Sequence, residues 1–181
     1  MKLVITIIAL VGVISIAGCK KSPTAGSGGT AHQVVDSIPP LAGTNVSLET
    51  AYNNSARAVE RVILLLNGVK DDASAQAAAG LLRLAAADLA AAMKQMKLTV
   101  AALDTAGRKQ EIVQFYQKLA EKETEPALFR FQPAIEHVVA GPQGPKLRSE
   151  INAVLDAIVE NTTGKERENI QRWIQEKNLR Q

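Results

Sequence analysis

One stretch of this sequence repeats an apolar side chain every seven residues: Ala75, Leu82, Leu89, Met96 and Leu103. Ala78, Ala85, Ala92 and Thr99 fill the positions three residues further on. Alternating steps of three and four put all of them on one side of a helix. Small side chains alternate with large ones down that stripe. Alanine lets two backbones come close, while Leu and Met fill the space above and below, so the stripe asks for a tightly packed helix pair at a shallow crossing angle. An unbroken helix over Ala73 to Leu103 would be about 46 Å long. The composition agrees: hydrophobic residues make up 46% but aromatics only 3%, and a β-sandwich would want more aromatic and β-branched side chains. The expected fold is all-α, an antiparallel bundle of about five helices over residues 46–181.

Other helices follow the same spacing. Leu48, Tyr52, Ser55, Val59, Val62 and Leu66 step by four and three. Gly68 is placed to end that helix in a left-handed conformation, and Asp71 or Asp72 to cap the next. Asp104-Thr105 marks a turn before Ile112, Phe115, Tyr116 and Leu119. Pro126 lacks a backbone donor, so the chain breaks near Thr124. Leu128, Phe131, Ile135 and Val138 form another stripe, with Pro133 inside it. Gly141 to Pro145 reads as a loop. Leu147, Ile151, Val154, Leu155 and Ile158 define a further helix. Thr163 to Glu166 has the capping-box pattern, opening a last helix with Ile170, Trp173 and Ile174.

The N-terminus is of another kind. Lys2 precedes an almost wholly apolar run, Leu3 to Ile16. As a helix it spans about 21 Å, short of a ~30 Å hydrocarbon core, so it reads as an export signal rather than a permanent span. It ends Ile16-Ala17-Gly18-Cys19, and Cys19 is the one Cys of the chain. This ending resembles the lipobox of bacterial lipoproteins. The resemblance implies a signal peptide over residues 1–18, cleavage before Cys19, and a diacylglyceryl thioether and palmitate-type acyl chains on that residue. Three chains would anchor stably where a single one binds only marginally. The lipid bilayer is then a partner through acylated Cys19. Lys20, where an Asp would favour the inner membrane, points to an extracytoplasmic, lipid-anchored address, the outer membrane before the inner or plasma membrane. Residues 19–45 are rich in Gly, Ser, Thr and Pro and read as the lipidated Cys and a disordered linker, with an end-to-end distance of about 28 Å for a flexible coil.

No chemistry emerges from the body. Lys and Arg number 21 against 18 Asp and Glu, too balanced for a dedicated nucleic-acid binder. His137 stands beside Glu136 with no Glu-x-x-His spacing, and Met93 and Met96 in an Ala/Leu stripe read as core. Ser47, Ser55, Ser74 and Ser149 lack a nucleophile-elbow setting. Glu121, Glu123 and Glu125 alternate, so they do not share a helix face. The expectation is no enzyme: no catalytic residues, no metal and no cofactor. The chain reads as a membrane-anchored structural or protein-interaction module of the bacterial cell envelope, with an envelope protein as partner. The alternative is a periplasmic carrier holding a hydrophobic or small ligand between its helices.

Overall fold

The structure, a computed structural model, describes residues 46–122 and 127–180, the side chains of 122 and 127–130 excepted. The signal, the lipobox and the linker therefore lie outside the described residues. Within them the protein is all-α: α1 (Leu48–Asn67), α2 (Asp72–Thr105), α3 (Lys109–Lys122), α4 (Ala127–Ala140), α5 (Gly144–Asn161) and α6 (Gly164–Glu176). No strand occurs among the described residues.

The long helix is continuous. α2 has 34 residues, about 51 Å of helix. At its start Asp71 accepts from the Ser74 N–H at 2.8 Å, and the Ser74 hydroxyl accepts from the Asp71 N–H at 2.9 Å. This reciprocal capping satisfies donors the first turn would otherwise orphan. At its end the Arg108 N–H reaches the Leu103 carbonyl at 2.8 Å and the Gly107 N–H reaches Asp104 at 3.0 Å, with Gly107 at φ 73°. That bond pair is a Schellman stop, and glycine occupies its left-handed position without a Cβ penalty.

α2 packs most extensively against α1 and α5, and α1 packs against α4. Ser55 donates to the Ala92 carbonyl at 3.1 Å, Asn54 meets Gln95 at 3.4 Å and Arg61 meets Asp88 at 2.5 Å. Partner numbers fall as α1 numbers rise, so the α1–α2 hairpin is antiparallel. α4 and α5 form a second hairpin across a three-residue turn. Asp72 pairs with Lys146, and Arg83 with Glu150 at 2.6 Å, so α2 and α5 begin at the same end. The bundle is thus two antiparallel hairpins packed side by side, with α4 and α5 also in contact. α3 lies against α1 and α2, and α6 against α5.

The alanine stripe faces this core. Leu82, Leu89, Ala85 and Ala92 are fully buried, with Ala75, Ala78, Met96 and Thr99 nearly so; Leu103 is only half-buried. Several local expectations are corrected. Gly68 ends α1 in a right-handed conformation, φ −75°, because the helix closes in a tighter turn through it, with the Val69 N–H bonded to the Leu66 carbonyl at 3.1 Å. The loop after α4 is shorter than Gly141 to Pro145, since α5 already begins at Gly144 with Pro145 in its first turn, where a missing N–H costs nothing. The capping box at Thr163 to Glu166 does not form: Thr163 makes no side-chain cap bond, and Glu166 is turned inward and buried. Pro133 sits inside α4, which continues through it.

Candidate functional site

The predicted site residues Ile16, Ala17, Gly18 and Cys19 lie outside the described residues, so the geometry bears on the body alone. There the residues inspected for chemistry are dispersed. His137 is exposed on α4, whereas Met93 and Met96 are buried in the core. Ser47 caps α1 by accepting from the Thr50 N–H at 3.1 Å. Ser74 belongs to the α2 cap, and Ser55 spends its hydroxyl on the Ala51 and Ala92 carbonyls. Ser149 and Glu121 are exposed, and Glu123 and Glu125 are outside the described side chains. No group of three or more His, Cys, Asp or Glu could hold a metal ion among the described residues.

Three titratable arrangements stand out. Glu150 is buried and pairs with the exposed Arg83 guanidinium. Glu136 accepts from Trp173 Nε1–H at 2.8 Å and meets Lys177 at 3.1 Å. The indole hydrogen bond is the main reason its carboxyl is held below the ordinary value, opposed by partial burial and aided by Lys177. Glu166 goes the other way, pushed up by burial. Close to it, the Tyr116 phenol is pushed up to about 12, first by burial and then by the Glu166 charge. Tyr116 also stacks edge-on with Phe115, which meets Tyr52 the same way, both at 5.5 Å. The Phe115–Tyr52 contact ties α3 to α1. The aromatic contacts pack the half-buried Tyr116 ring beside the buried Glu166.

A cleft of about 120 Å³ opens beside the α4–α5 turn, lined by Val139, Gly144, Pro145, Arg148 and Leu179. Leu179 reaches it because Asn178, at φ 51°, ends α6 in a second Schellman stop, with Leu179 N–H bonded to the Ile174 carbonyl at 3.1 Å. Its volume is well under the roughly 300 Å³ at which small-molecule sites begin.

Sequence reasoning overlooked the outer face of α2. Ala77, Gly80, Leu84, Ala87, Ala91, Lys94 and Leu98 also step by three and four, on the side away from the core. Leu84 and Leu98 are 59% and 57% exposed, and Leu64 on α1 is 69% exposed. The signal was present as a second seven-residue pattern, masked by the high alanine content of the helix. No helix among the described residues is long and apolar enough to cross a membrane.

No protein-family model, curated protein or solved structure matches this chain.

Proposed function

We propose that the protein is a lipoprotein of the bacterial cell envelope, anchored through acylated Cys19, whose helical body acts by contact as a non-enzymatic structural or protein-interaction module. The observation that carries this is the placement of the chain's one cysteine at the end of Ile16-Ala17-Gly18-Cys19, directly after an apolar run too short to span a bilayer. Lys20 supports the outer membrane as the address. The Gly- and Ser-rich stretch before residue 46 supports a tether, which raises the local concentration of the body near envelope partners without fixing its orientation. The body supports a contact role by what its polar groups do: Ser47 and Ser74 cap helices and the buried Glu150 balances Arg83.

The test is Cys19→Ser in the native host. It is expected to abolish incorporation of labelled palmitate and to leave a larger, unprocessed precursor. Normal processing and labelling of the variant would overturn the reading. Crosslinking from native membranes then identifies the partner.

A further inference from the structure

We propose that the outer face of α2 is a membrane-contacting surface that lays the body on an anionic lipid leaflet. This rests on the anchored-lipoprotein reading above and adds an orientation to it.

The face is apolar and basic together. Leu84 and Leu98 protrude from it, and Leu64 stands on α1 across from Leu84, beside the Arg61–Asp88 pair. Ala87 and Ala91 lie between the leucines and are exposed. From Ala73 to Leu103 the only carboxylate is Asp88, and Arg61 neutralises it at 2.5 Å. The exposed charges are those of Arg83, Lys94 and Lys97. Arg83 has its counter-charge beneath it in the buried Glu150 carboxylate. Long basic side chains beside protruding leucines suit the boundary between headgroups and acyl chains: apolar groups enter, aliphatic stems lie flat, and charged ends meet phosphate.

The entry point of the preceding chain favours the same occupant. Asn54 and Ser55 of α1 lie against Gln95 and Ala92. The start of α1 is therefore level with the Leu98 end of α2, and there the chain from Cys19 joins the body. A tether entering at that end keeps Lys94, Lys97 and Leu98 within reach of the leaflet, and anchoring makes a weak intrinsic affinity sufficient. A second copy fits less well. An antiparallel pairing over the leucines would leave Lys94 and Lys97 of each copy without a counter-charge from the other, because the one carboxylate of this face, Asp88, is already held by Arg61.

The test uses residues 46–181, which contain all the core residues described above. Cys19 is absent from this piece, so a thiol introduced as Ala91→Cys, or as Gln171→Cys on the exposed side of α6 for reference, carries the only environment-sensitive fluorophore. With phosphatidylglycerol-containing vesicles the probe at 91 is expected to shift to the blue and the probe at 171 to stay unchanged. Lys94→Glu with Lys97→Glu should weaken vesicle partition at least tenfold, since each basic residue near an anionic surface is worth about fivefold. No shift at 91 up to millimolar lipid, equal shifts at both positions, or an equal response to pure phosphatidylcholine would each overturn the proposal. So would a shift at 91 that grows with protein concentration without vesicles, which would assign the face to a second copy. Vesicle binding without palmitate labelling in the host would leave this surface standing and sink the anchor; labelling without vesicle binding would do the reverse.

Discussion

Gly80 and Gly144 both sit in helices, and their surroundings give them opposite roles. A Cβ built on Gly144 would lie 2.5 Å from the Val139 carbonyl oxygen and 3.0 Å from that of Val138. Those oxygens belong to the end of α4 and cannot swing aside as a side-chain tip would. Gly144→Ala is therefore expected to force the α4–α5 turn open and to cost about 1–3 kcal/mol, read as a lower urea midpoint. Gly80, midway along α2, has nothing within 4 Å of its missing Cβ. Gly80→Ala removes backbone freedom from the unfolded chain without a clash and is expected to stabilise by about 0.5–1 kcal/mol. Equal shifts for the two variants would refute the close approach at Gly144. From sequence Gly144 reads as a loop glycine and nothing local shows its close approach, because the obstructing carbonyls come from a different helix.

For the individual helix, the informative contrast is between the two stripes of α2. Ala85 and Ala92 are fully buried where the backbones of α1 and α2 come close enough for Ser55 to bridge to the Ala92 carbonyl. Ala85→Leu or Ala92→Leu inserts carbons into that gap and should cost about 1–3 kcal/mol. Ala86 would look like a suitable control, being off the seven-residue stripe, yet it is only 5% exposed. α2 is covered on two sides, by α1 and by α5, and that widens its buried arc beyond one stripe. The proper control is the exposed Ala87: Ala87→Leu should change the denaturation midpoint little. Comparable losses at 85, 87 and 92 would remove the close-packed pair from this account.

At the scale of the whole molecule, packing between helices decides how an individual charge behaves, and Glu166 shows it. Its carboxyl is raised by burial, so between the ordinary and the raised value the folded protein holds more protons than the unfolded chain. Stability then falls as pH rises through that window and stays lower above it. Glu166→Gln removes the cost of burying a charge: the variant is expected to melt higher than the parent at neutral pH, with the gain shrinking on acidification below the carboxylate range. A gain independent of pH would show that the carboxyl is not the cause. The pattern Thr163 to Glu166 promised instead a cap bond at the surface. Local spacing could not show that α6 turns this side chain inward toward Tyr116. The same division runs through the protein. Helix existence and a cap at Asp71 or Asp72 follow from periodicity and from acceptors on neighbouring residues, and these were legible in the chain; that α2 runs unbroken was not. The break expected near Thr124 and the lipobox lie outside the described residues. What tertiary structure alone decided is which helices meet: the side-by-side hairpins, the second covered flank of α2, the inward Glu166 and the uncovered basic face. Each depends on residues far apart in sequence, and a helix with apolar positions on several sides does not encode which of them will find a neighbour.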